Sequence, residues 1–112
     1  MNGNEAAAIE LGAMRTAWCD LATRWDLGWH ERRALLPAGG QDAATPPHDT
    51  ERRMRLLIEV GHRIRFDDDD ELRDWLRTPS ELWNWYSPLE IMSGAIGDLR
   101  RFRQFVEAGI WS

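Results

Sequence analysis

Apolar residues recur along the first quarter of the chain at alternating spacings of four and three: Ala7, Leu11, Met14, Trp18, Leu21 and Trp25. That spacing gathers them on one stripe and predicts an α-helix over about residues 5–25. Its period also suits a helix-on-helix seam, so self-association is one expectation, although the run is short for a coiled coil. A second, short helix is expected over 29–36, stopped by Pro37. Residues 37–48 then combine turn residues, two consecutive prolines and no apolar period, which predicts a loop.

A third helix is expected from Asp49 or Thr50 to Phe66, with Met54, Leu57, Gly61 and Ile64 inward and Arg52, Arg53, Arg55, Arg63 and Arg65 mostly outward. Asp67 to Asp70 supply a new N-terminus. Asp68 and Glu71 have the capping-box spacing, and the carboxylates complement the dipole of a helix carrying Leu72, Trp75 and Leu76. In Ser87-Pro88-Leu89-Glu90, an N-cap serine precedes proline at the first helical position and glutamate at the third, so a short helix begins there. The last helix is expected over 98–108, with Leu99, Phe102 and Val106 inward and Gly109 as its stop. No strand pattern appears. The predicted fold is therefore all-α, a small bundle of about five to six helices.

Charge changes this picture in one segment. Every one of the 14 basic residues is arginine, against 19 acids, for a net charge of -5. Residues 50–66 alone carry an excess of arginine, five against two acids. An acidic chain is a poor general binder of nucleic acid. Only a face carrying Arg52, Arg53 and Arg55 is a candidate for DNA phosphates. One cysteine, Cys19, excludes an intrachain disulfide, and no apolar run reaches membrane-spanning length, so a cytoplasmic protein without membrane contact is expected.

Catalytic and metal constellations are missing. His30-Glu31 begins an HExxH pattern, but Ala34 stands where the second histidine is required. The acidic run 67–71 lacks the spaced oxygens and glycine of a calcium loop. No nucleophile elbow or phosphate-binding glycine loop occurs. The expectation is a protein with no catalytic residues, no metal and no cofactor.

Binding features concentrate in the second half. Leu82-Trp83-Asn84-Trp85-Tyr86 places three large aromatics between two helices, where rings either roof a small core or stand out as interface anchors. Arg100, Arg101 and Arg103 lie near the start of the last helix, where the dipole disfavours cations; that suggests a carboxylate or phosphate partner, the alternative being a solvated face compensated by Asp98 and Glu107. Ile110-Trp111-Ser112 adds an apolar pair beyond the helix, either docked on its own domain or ready for a partner's pocket.

Residues 66–112 resemble the toxin-binding domain of the Xre/MbcA/ParS-type antitoxins. The likeness is carried by Trp75-Leu76-Arg77-Thr78-Pro79, by Ser87-Pro88-Leu89-Glu90-Ile91-Met92, and by a final amphipathic helix closing on Glu107-Ala108-Gly109-Ile110. Residues 25–36 and 51–57 look like traces of the Xre helix-turn-helix. The resemblance implies two regions, a degenerate helix-turn-helix-like 1–66 and a toxin-binding 67–112. It further implies a RES-type, NAD-degrading toxin as partner, with a homodimer or a hetero-oligomer with toxin as the assembly. The toxin-binding residues it points to are Trp83, Trp85, Tyr86, Arg100, Arg103, Ile110, Trp111 and Ser112. The family's Leu-Gly-Gly-like turn before Ser-Pro is replaced here by residues 82–86, and the place of a recognition helix is taken by the loop 37–48. The alternatives are a DNA-binding autorepressor using Arg52, Arg53 and Arg55, and a structural helical dimer without inhibitory action.

Overall fold

The computed structural model describes residues 3–36 and 48–109, with side chains from Ile9 and Asp49 onward in the two segments. The predicted loop thus lies outside the described residues except for His48, and so does the tail Ile110-Trp111-Ser112. Six α-helices are present among the described residues: α1 (Gly3–Arg24), α2 (Trp29–Leu35), α3 (His48–Arg63), α4 (Asp69–Arg77), α5 (Pro88–Met92) and α6 (Ile96–Glu107). A 3-10 turn, Glu81–Trp83, joins α4 to α5, and among the described residues no strand forms beyond one isolated bridge between Ser80 and Tyr86. The all-α bundle is as expected.

Helix α1 buries Met14, Trp18, Leu21 and Trp25 along its apolar stripe, with Leu11 packed at the margin. It ends where Asp26 turns to φ 53; the Asp26 N–H donates to Thr23 O and the Leu27 N–H to Ala22 O. These two bonds satisfy carbonyls that the last turn leaves open, and they send buried Leu27 back into the core. At the start of α2, Gly28 N–H donates to the Glu31 carboxylate over 2.9 Å.

Helix α3 is the central element, packed against α1 on one side and α6 on the other. Its buried stripe runs through Arg53, Met54, Leu57, Val60, Gly61 and Ile64. At Gly61 a methyl group would collide with the Leu21 side chain, so the missing Cβ is what lets α1 approach. Arg53, expected outward, is buried instead. Its guanidinium donates to Leu35 O (2.9 Å), Met92 O (2.6 Å) and Gly94 O (2.7 Å), the open carbonyls where α2 and α5 end.

Asp68 caps α4 as expected, but through the Asp70 N–H at 3.0 Å and without a reciprocal bond from Glu71. The capping box of α5 forms as the sequence predicts: Ser87 Oγ accepts from Glu90 N–H (3.2 Å), and the Glu90 carboxylate accepts from Ser87 N–H (3.0 Å). Helix α6 starts at Ile96, earlier than expected, buries Leu99, Phe102 and Val106, and ends before Gly109 at φ 77. One apolar cluster takes side chains from all six helices and the 3-10 turn. Each fully buried Leu, Met or Phe in it contributes about 1.5–3 kcal/mol.

Candidate protein-binding site

The connection between α4 and α5 is tied at both ends. Ser80 Oγ accepts from Leu82 N–H at 3.2 Å and opens the 3-10 turn. Trp85 N–H donates to Ser80 O (2.8 Å), Tyr86 N–H to Trp83 O (3.1 Å), and Ser80 N–H to Tyr86 O (3.2 Å). Asn84 and Trp85, at φ 55 and 65, form the centre of a tight turn with the positive-φ pattern of type I′. The Ser87 capping box then fixes the exit.

This backbone sorts the aromatics. Trp83 points inward and is 8% exposed, edge-on to Trp75 (5.7 Å between centroids) and to Phe102 (5.4 Å). Phe66 stacks on Trp75 at 5.6 Å and completes a cluster of four rings. Trp83 was expected at the partner surface, but it belongs to the core, because the 3-10 turn drives its side chain between α4 and α6. Leu82, Trp85 and Tyr86 are more than half exposed and form an apolar patch.

Beside the patch lies a cleft of about 600 Å³. Its walls are Leu82, Trp83, Asn84 and Tyr86 from the connection, Glu90, Ile91 and Gly94 at α5, and Asp98, Arg101, Phe102 and Phe105 from α6. A second cleft, of about 560 Å³, opens toward His30 and Ala34 of α2. Tyr86 and Glu90 line both and form the ridge between them. Arg101, one of the three arginines expected near the start of the last helix, lines the cleft, and Ile91 and Phe105 join it without having been expected there. The signal for Phe105 is a second stripe on α6, Asp98-Arg101-Phe105, distinct from the buried Leu99-Phe102-Val106 stripe.

The arginines divide by use. Arg103 bonds Glu59 of α3 at 2.7 Å and lies near Glu107, so it clamps α6 to α3 and does not line the cleft. Arg100 is exposed in the second turn of α6, because the helix starts at Ile96, so the expected dipole penalty is weaker there. Arg53 is not available to a DNA phosphate: three carbonyls hold it in the core, and burial pushes its pKa below the ordinary value. Arg55 is paired with Glu10 and Glu51, and hydrogen bonds to these two carboxylates raise its pKa. Arg52 is exposed on α3. Of the predicted basic face, Arg53 is thus withdrawn into the core and Arg55 is ion-paired.

A further polar junction holds α4 against the end of α1. Arg77 grips Glu31 with two hydrogen bonds, 2.8 and 3.1 Å, and also donates to Trp25 O and Asp26 O. Partial burial raises the Glu31 pKa, but the Arg77 hydrogen bonds, the Gly28 N–H and the Arg77 charge outweigh it and hold the carboxyl below its usual range.

Among the described residues no group of three or more His, Cys, Asp or Glu side chains is placed to hold a metal ion, and no helix is long and apolar enough to cross a membrane. No protein-family model and no solved structure matches the chain. It is similar to a protein of Sinorhizobium fredii described as uncharacterized protein y4oB, 28% identical over 103 residues, a match covering 82% of this chain and 80% of that protein.

Proposed function

We propose that this protein is the antitoxin of a bacterial toxin–antitoxin pair: a non-enzymatic, cytoplasmic protein that neutralises a RES-type, NAD-degrading toxin. It grips the toxin through the 82–86 connection and the cleft face of α6, and residues 110–112 close the toxin's active site. The observation that carries the reading is the exposure of Leu82, Trp85 and Tyr86 in one short connection, with Leu82 and Tyr86 lining a cleft. Large apolar side chains exposed together on a small protein mark a binding surface.

The antitoxin reading in particular rests on the resemblance of residues 66–112 to the toxin-binding domain; the segment 82–86 departs from that family's Leu-Gly-Gly-like turn.

The test is purification of the tagged full-length chain from its native cytosol, mass spectrometry of what accompanies it, and an NAD-consumption assay before and after release. The expected result is an NAD-degrading enzyme silent in the complex and active once freed. An enzyme whose rate is the same bound and free, or recovery of DNA alone, overturns the proposal.

A further inference from the structure

Three non-glycine residues among those described have positive φ: Asp26, Asn84 and Trp85. Asp and Asn visit this region routinely because their short polar side chains bond locally, whereas a bulky aromatic does so as an outlier held by its surroundings. The surroundings are the Trp85 N–H bond to Ser80 O and the Tyr86 N–H bond to Trp83 O on either side of it. The strain brings the fold no packing in return. Trp85 is 67% exposed, and it makes no ring contact and finds no acceptor for its indole N–H among the described residues.

We infer that Trp85 is the anchor of the partner interface, its side chain projected to solvent by a strained turn whose backbone is already held before the partner arrives. An exposed indole with a free N–H on a held backbone fits an apolar pocket with a hydrogen-bond acceptor on its wall, the kind of contact that dominates interfaces. Charge fixes the rest of the pocket. Residues 78–99, which hold the turn, carry three carboxylates, Glu81, Glu90 and Asp98, and no arginine. Glu81 and Glu90 stand exposed on either side of the turn in the chain. The partner is therefore a protein whose pocket has lysine or arginine at its mouth, rather than a second copy of this acidic chain. This inference rests on the antitoxin reading and identifies the contact that reading requires.

The experiment compares Trp85→Gly, Trp85→Asn, Trp85→Ala and Glu81→Lys in the full-length chain. The probe is the purified enzyme recovered with the wild-type protein. Glycine and asparagine relieve the backbone and alanine does not. Trp85→Gly and Trp85→Asn are thus expected to raise the Tm of the isolated chain by about 2–5 °C relative to Trp85→Ala. All three lose about 30-fold or more in affinity, the scale of an interface hot spot. Glu81→Lys loses several-fold at low salt, and the loss shrinks as salt rises.

Unchanged affinity in Trp85→Gly, or no Tm gain in either relieving variant, overturns the inference while leaving the antitoxin reading in place. A wild-type dimer in sedimentation that Trp85→Ala dissociates overturns it in favour of a second copy. Recovery of no partner overturns the antitoxin reading and this inference with it.

Discussion

The Arg53 guanidinium lies 2.6 Å from the carbonyl oxygen of Met92, a residue 39 positions further along the chain. Together with its bonds to Leu35 O and Gly94 O, this contact makes one buried cation the common stop for α2 and α5. Arg53→Met removes the donors and leaves carbonyls buried without partners, which costs about 2–4 kcal/mol. Arg53→Lys restores the charge but not the planar fork, so it recovers only part of that stability. Urea denaturation followed by circular dichroism measures both; a loss below about 0.5 kcal/mol in Arg53→Met would show that the contacts carry no stability.

Gly61 and Leu21 are coupled. In the wild-type chain a Cβ at position 61 runs into the Leu21 side chain, and overpacking costs about 1–3 kcal/mol against a helix-propensity gain of up to about 1 kcal/mol. With Leu21→Ala in place the collision is gone, and Gly61→Ala is expected to stabilise. A double-mutant cycle from chemical denaturation should give a coupling of about 1–2 kcal/mol. Additive effects would contradict the close approach of α1 to α3.

The clamp between Arg77 and Glu31 predicts an acid limb. Because the folded-state pKa of Glu31 is held below its ordinary value, the stability it adds is present above the unfolded pKa of about 4.3 and is lost as pH falls through the lower folded value. Glu31→Gln should lower Tm at pH 7 and do so less and less as the pH falls below the ordinary carboxylate range. Thermal melts across that range decide the matter, and an equal drop at both ends would assign Glu31 a role other than its charge.

Trp83 and Trp85, two residues apart, should respond in opposite ways. Trp83→Ala opens a cavity in the cluster with Trp75 and Phe102 and should cost about 3–5 kcal/mol, whereas Trp85→Ala should fall within about 0.5 kcal/mol of wild type. Equilibrium unfolding distinguishes them.

The tail has its own test. A chain ending at Ala108 retains the buried face of α6, Leu99, Phe102 and Val106, so it should melt within about 2 °C of the full protein, since surface changes are usually small. In the NAD-consumption assay it should inhibit the partner more weakly. Full inhibition by the shortened chain would rule out occlusion by residues 110–112.

Much of the fold was legible because it rests on local rules. The stripes of α1 and α6 are period effects, and the Ser87-Pro88 helix start is decided by neighbours three residues apart. Arg53 was not legible as a core residue, although it shares the buried face of Leu57, Val60 and Ile64. Its carbonyl partners come from α2 and from the end of α5, and no local pattern announces that two helices will end at one point. The site was half legible. The segment 82–86 stood out by composition, but which ring goes inward depends on a positive-φ turn that neither Asn84 nor Trp85 advertises as a glycine pair would. Phe105 was not legible because the buried stripe of α6 already accounts for the apolar residues of that helix.

The central place of α3 means that the aromatic turn is not a portable module. A graft of residues 67–109 onto another scaffold would leave the face of α6 that packs on α3 wet and Arg103 without Glu59. Cleavage within α3 would therefore unseat α6 and the connection packed on it, so the exposed indole of Trp85 keeps its place only while the whole bundle is folded.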